Sequence, residues 1–394
     1  MLRLPLALTF LFLLPLAAFA QLSSSEIEAR KAKEKLAPIA AKMKEFMEGG
    51  QISGAVTLVA TKDNVLYLEP IGQADLAAKR AMTNDTVFAI ASMTKPITAT
   101  ALMILVDEGK VKVSDPVSKY IPSFKKAALA EGKAPAREIT LRDLLTHTSG
   151  VVGPKREPGK NLTLEQLADA IAAQPLAFEP GSKWQYGEGL SVIGRVVEVA
   201  SGKDFATFLS ERIFQPLKMT DTTFHPSEAQ RARLAVNYKP GQETHSLEPV
   251  GNFLTPNLRE QRTPNPSGGL FSTAGDMARF YQAILRGGEL EGKRIVSKES
   301  VDEMTRLQTG EIVTGFTPGN GWGLGWCLVQ KPQGVTEMLS PGTYGHGGAF
   351  GTQGWVDPKR GLIFVLMIQR TGFGNSDGSD IRGAFQRAAV DGLK

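Results

Sequence analysis

The strand signals of this chain lie at its two ends, with helix signals between them, and that order constrains the fold more than any other feature. Gly54–Ala60, the turn residues Lys62-Asp63-Asn64 and Val65–Gly72 read as a β-hairpin. Near the other end, Thr352–Asp357, the turn Pro358-Lys359-Arg360-Gly361 and Leu362–Gln369 read as a second. Residues 25–48 carry Ile27, Leu36, Ile39, Met43, Phe46 and Met47 among charges, an amphipathic helix ended by Gly49-Gly50. Another helix is expected from about Ser379 to the end. Between the hairpins, Thr140-x-x-Asp143, Thr163-x-x-Gln166 and Thr273-x-x-Asp276 each precede apolar residues, as capping boxes or close variants do. The expected fold is therefore α+β. An antiparallel sheet is built from both chain ends with flanking helices, over about 25–85 and 295–394, and a mainly helical lobe is inserted over about 86–294. A cleft between such lobes is a default place for a site.

Composition removes several function classes. The 45 Lys and Arg nearly balance 40 Asp and Glu, and the basic residues are scattered: Arg30, Lys31, Lys33 and Lys35 alternate with Glu26, Glu28 and Glu34. That pattern is a solvated helix face and not a nucleic-acid stripe. Cys327 is the single cysteine, so no intrachain disulfide forms. Four histidines and no Cys/His cluster of zinc spacing argue against a metal site.

The first twenty residues have an early cation, Arg3, an apolar run and Ala18-Phe19-Ala20. This is the pattern of a secretory signal cleaved before Gln21, with an uncleaved membrane anchor as the rival reading. Pro5, Pro15 and the small-x-small ending favour cleavage. The expected mature chain, 21–394, is exported, periplasmic or secreted, without a stable membrane anchor.

Ser92-Met93-Thr94-Lys95 precedes Ile97, Ala101, Ile104 and Leu105, whose spacing is helical. A serine and a lysine three apart share one helix face. At a helix start, backbone N–H groups and the dipole favour a serine alkoxide, and burial lowers a lysine's pKa until its amine is a usable base. Spacing alone leaves Ser92 open between helix cap and nucleophile. Ser123-Phe124-Lys125-Lys126 matches the same spacing and reads as a charged surface turn.

Four further segments decide the matter: Leu144–Gly150 (LLTHTSG), Pro180–Glu188 (PGSKWQYGE), Ser267–Thr273 (SGGLFST) and Tyr344–Phe350 (YGHGGAF). In order and rough spacing, with Ser92 and Lys95, they resemble the class C β-lactamase-like serine hydrolases, across about residues 30–392. That superfamily holds class C β-lactamases, D-alanyl-D-alanine peptidases and serine carboxylesterases, and S-x-x-K is one of its signatures. The resemblance implies a β-lactamase/transpeptidase-like fold and an acyl-enzyme mechanism on an ester, amide or peptide substrate, without metal or organic cofactor. It implies Ser92 as nucleophile, Lys95 as its partner and Tyr186 as a second base. His346-Gly347-Gly348 falls where the family's Lys-Thr-Gly strand lies, and the N–H groups of Ser92 and Ala349 would form the oxyanion hole.

Two residues depart from the family pattern. Glu188 stands where Asn is expected, and near Lys95 its charge would raise that lysine's pKa. His346 replaces a cationic Lys that meets substrate carboxylates in β-lactamases. An ordinary histidine, with pKa about 6.5, would still titrate near working pH. A carboxylesterase-like activity is therefore expected. The alternatives are a β-lactamase or D-alanyl-D-alanine peptidase and, from another class, a non-hydrolysing peptidoglycan-binding sensor module. Phe350 is the candidate pocket wall. His147 reads as structural, Trp322 and Trp326 as core or strand-edge aromatics, and Cys327 as inert filling. No nucleic-acid partner is implied, and the oligomeric state stays open.

Overall fold

The computed structural model describes residues 31–394, apart from 156–159, 259–261 and 316. The signal-like segment 1–20 and Ile27 lie outside the described residues. Strands β1 (Gly54–Ala60), β2 (Val65–Asp75), β3 (Arg80–Ala81), β4 (Asn320–Trp322), β5 (Cys327–Val329), β6 (Thr343–Gly347), β7 (Gln353–Asp357) and β8 (Leu362–Met367) make one sheet, ordered β4-β5-β6-β7-β8-β1-β2-β3. All neighbours in it are antiparallel. The two hairpins read from the sequence are β1–β2 and β7–β8. The chain's ends meet where β1 pairs with β8, Val56 opposite Met367 and Ala60 opposite Ile363.

The helices that position the site are α1 (Pro38–Glu48), α2 (Thr94–Asp107), α3 (Leu141–Leu145), α4 (Leu164–Ala172), α5 (Gly189–Ser201), α6 (Ala274–Leu285) and α7 (Asp380–Gly392). Strands β1 and β8 are buried along their whole length, and apolar but for Thr57, because both faces of the sheet are covered. Val56, Leu58 and Val365 pack toward Met277 and Phe280 of α6, while Val59, Phe364 and Leu366 pack toward Ile39 and Met43 of α1 and Phe385 of α7. Each such side chain contributes roughly 1.5–3 kcal/mol by leaving water.

Local signals hold with two corrections. The helix expected over 25–48 is interrupted: residues 31–36 are helical, Ala37 turns, and α1 starts at Pro38, which has no N–H to continue the ladder. Thr140 and Thr163 make reciprocal capping boxes, but Thr273 only half of one. The Asp276 carboxylate instead accepts from the Asp221 N–H and the Thr222 hydroxyl, both at 2.8 Å. Helix α2 is buried all around from Thr94 to Leu105. Its threonines are satisfied inside it and beside it, Thr98 donating to the Pro266 carbonyl at 2.7 Å and Thr100 to that of Pro96 at 2.8 Å. Among the described residues, no helix is long and apolar enough to cross a membrane.

Candidate active site

A short antiparallel pairing, Phe88–Ala89 with Phe271–Ser272, delivers the chain to Ser92. Ala91, fully buried, has φ +45°, a left-handed backbone that an alanine adopts only at a cost. A 3₁₀ turn, Ala91–Met93, follows and runs into α2. Thr94 braces the bend, its hydroxyl donating to the Ala91 carbonyl at 2.7 Å and accepting the Leu270 N–H at 3.2 Å. Ser92 is thus partly exposed between two buried residues.

Lys95 lies one turn inward, with Nζ 3.1 Å from Ser92 Oγ and 2.6 Å from the Ser267 carbonyl. Burial pushes its pKa down to about 7, against the pull of Glu188 and Asp377 in the opposite direction. Desolvation outweighs charge pairing here, so near neutrality much of the amine is unprotonated. Glu188 sits at the start of α5 and accepts from Ser191 Oγ at 2.6 Å, which lies 2.8 Å from Ser267 Oγ. Two hydroxyls therefore link the carboxylate to Ser267, the residue whose backbone carbonyl accepts from the lysine.

Tyr186 hydrogen-bonds Ser92, and its ring centre lies 4.5 Å from Lys95 Nζ. Burial pushes the phenol's pKa far up, which favours a protonated Tyr186 in the resting site. Its hydroxyl stands 3.5 Å from Nε2 of His346.

His346 is almost fully buried on β6, and its Nδ1 is 2.6 Å from the Gly347 carbonyl. A carbonyl only accepts, so Nδ1 carries the proton and Nε2 is bare. Burial and the charge of Lys95 push its pKa down to about 3. The expectation of a histidine titrating near 6.5 is corrected: this ring is neutral throughout the working range, because a second cation beside Lys95 in a dry site is disfavoured.

Beyond β6, Gly348 donates to the Thr352 carbonyl at 2.7 Å and accepts from Ser376 Oγ at 2.8 Å, leaving Ala349 exposed at the rim. Thr352 Oγ1 donates to the Ile90 carbonyl at 3.2 Å, tying this turn to the Ser92 bend. Gly348 admits no side chain, since a Cβ there would meet Thr352 and the Ile90 carbonyl. Phe350 is buried below, with Phe253 over it at 5.1 Å between ring centres. Phe253 and Glu188 also line a cavity of about 560 Å³ whose other walls include Leu162, Leu164 and Leu167.

Ser92, Lys95, Tyr186, Glu188 and His346 thus converge, with Gly347, Gly348, Ala349 and Phe350 along one edge. The second match, Ser123, sits in a 3₁₀ turn with Lys126 exposed, and its hydroxyl has no hydrogen-bond partner. Cys327 is buried, with its thiol pushed up by desolvation, and is inert. Trp326 stacks on Phe280 in the core, whereas Trp322 packs 5.6 Å from His346 beneath the site. The residues that sequence reasoning missed are Ser191, Ser376 and Asp377. The Asp377 carboxylate accepts the Gly347 N–H and receives Gln353 Nε2 at 3.4 Å. Ser376 and Asp377 lie in a polar, turn-like segment that only the tertiary fold brings here, and Ser191 is a buried serine in the mostly apolar first turn of α5.

The sequence profile of the β-lactamase family, described as "Beta-lactamase", matches residues 39–389. The chain is 32% identical to Esterase EstB of Burkholderia gladioli over 359 residues, 83% of this chain and 88% of the relative. It is 30% identical to the D-alanyl-D-alanine-carboxypeptidase/endopeptidase AmpH of Escherichia coli K12, over 73% of this chain and 72% of the relative. Among solved structures, EstCE1, a hydrolase with promiscuous acyltransferase activity, superposes with a TM-score of 0.78 at 24% identity, covering 93% of this chain and 99% of its own. The chain belongs to the β-lactamase family and is a serine hydrolase working through an acyl-enzyme.

Proposed function

We propose that this member of the β-lactamase family is an exported, carboxylesterase-like hydrolase of neutral esters, with Ser92 as nucleophile. The neutral Lys95 amine takes the Ser92 proton across 3.1 Å as Oγ attacks the ester carbonyl. The negative charge then forming on the carbonyl oxygen falls between the N–H groups of Ser92 and Ala349, donors typically worth about 3 kcal/mol each in a transition state. Tyr186, still protonated, gives its hydrogen to the leaving alkoxide and regains one from the Lys95 ammonium. Water, deprotonated by the same amine, then releases the acyl group and restores Ser92.

The observation that carries the substrate class is His346. A buried, neutral imidazole offers no fixed charge where a carboxylate-binding enzyme needs a cation. A desolvated charge-assisted contact is worth about 1.5–3 kcal/mol, and β-lactams or C-terminal D-Ala peptides forgo it here. Neutral esters lose nothing. The cavity beside Glu188, lined by Leu162, Leu164 and Leu167 together with Lys155, Lys160 and Arg262, has room for an acyl group larger than acetyl.

The test is a panel of p-nitrophenyl esters, a chromogenic cephalosporin and D-Ala peptides, run on wild type and Ser92→Ala. Ester turnover that exceeds the other two and vanishes in the variant supports the reading. Cephalosporin turnover above ester turnover sinks it, and labelling without turnover would favour a binding module.

A further inference from the structure

We propose that His147 is a positioning residue for Tyr186, an inference that rests on the reading that Tyr186 serves the reaction. His147 brackets Tyr186 from both sides of the chain, with its backbone carbonyl on one side and its imidazole on the other. The His147 carbonyl accepts the N–H of Gln185 at 2.9 Å, and His147 Nδ1 accepts the N–H of Gly187 at 3.3 Å. Between these two anchors the His147 ring lies against the Tyr186 ring, with centres 4.6 Å apart at 39°. Backbone before, backbone after and aromatic face are all set by one residue.

This arrangement carries local costs that packing alone does not explain. His147 has φ +59°, in the left-handed region, while 2% exposed. Because Nδ1 accepts, Nε2 carries the hydrogen, and that buried N–H has no hydrogen-bond partner. Strained backbone with an unsatisfied donor persists only where the surroundings over-determine it, and such residues cluster at functional sites. The surroundings do so here. Helix α3 is fixed by the Thr140 capping box, and Arg137 pairs with Asp143. The next residue, Thr148, accepts the Gly181 N–H at 2.7 Å, so the segment after α3 templates the loop that ends at Tyr186. Burial, Lys95 and His346 all hold the His147 pKa well below its ordinary value, so Nδ1 stays an acceptor at any working pH.

The test is a double-mutant cycle on p-nitrophenyl ester hydrolysis. His147→Gly keeps the left-handed backbone and the carbonyl but removes the ring. It should lower kcat at least tenfold with KM within twofold. In the Tyr186→Phe background the same change should cost less than twofold, because the group it positions is gone. Full additivity overturns the proposal. His147→Asn, which tolerates φ > 0 and puts an amide oxygen near the Nδ1 position, should hold kcat within threefold of wild type, and a larger loss overturns it. If the glycine variant fails to fold, the asparagine variant decides alone by that criterion. Tyr186→Phe at wild-type rate would instead sink the catalytic reading itself, and this inference with it.

Discussion

Asp377 and Gly347 are interlocked at the end of β6: the buried carboxylate accepts the glycine's N–H, and a methyl group on Gly347 would overlap Oδ1. The strand end that carries His346 and leads to Ala349 is therefore held from behind by the turn before α7.

Gly347→Ala should accordingly push Asp377 away and disturb the Ala349 N–H. Overpacking of this kind costs about 1–3 kcal/mol, visible as a fall of several degrees in Tm. Ester kcat should fall further than that stability loss explains. A variant of wild-type Tm and kcat would mean that the carboxylate moves aside freely.

Ser92→Ala should abolish fluorophosphonate labelling and reduce turnover by about a thousandfold or more, as loss of a nucleophile does. Ser123→Ala should change neither. Intact-mass measurement of the labelled protein reads the first outcome directly.

The pH dependence follows from Lys95. Its pKa of about 7 belongs to the protonated, inactive form of the base, so kcat/KM should rise as pH increases through about 7 and then level off. Glu188 favours the ammonium. Glu188→Gln removes that charge but keeps an oxygen for Ser191, so the acidic limb should move to lower pH. A limb that stays in place would mean Glu188 does not act on Lys95.

His346 gives the opposite expectation from an ordinary histidine. With its pKa near 3, lowering the pH from 7.5 to 5.5 puts no new charge on the ring. The ratio of kcat/KM for a cephalosporin to that for an acetyl ester should stay flat over this range, because the Lys95 limb cancels in the ratio. A ratio that climbs as pH falls would show that the imidazole titrates after all.

Phe253 is half-exposed over Phe350 at the cavity mouth. Phe253→Ala should lower kcat/KM for octanoyl relative to acetyl esters by roughly tenfold, since a lost apolar contact discriminates by about 1–3 kcal/mol. Equal losses on both esters would point to a general role for the ring.

What was legible in the sequence is what is local. The short apolar runs bounded by turn residues that became β1 and β8, the Thr140 and Thr163 caps, and Lys95 one helical turn from Ser92 all depend on neighbours a few residues away. Glu188 was legible in sign, as a charge raising the Lys95 pKa. Its magnitude was not, because it competes with a burial that only the assembled core supplies. His346 failed for the same reason: a ring's ordinary pKa is a statement about water, and β6 takes the ring out of water. Ser376 and Asp377 carry no periodicity or motif and meet the site only through contacts between segments far apart in the chain, whereas Ser191 reaches Glu188 within one helical turn.

The pairing of β1 with β8 has a consequence for biogenesis. Val56 cannot find Met367 until the chain has been made through β8, so the nascent chain carries an apolar strand with one edge open while all the residues between them are added. Such an edge invites pairing with other chains, and closing so long a loop delays the reward for folding. Truncation before Leu362 should therefore give insoluble protein and not a smaller folded one. Until β8 is available, the chain should depend on whatever holds it unfolded.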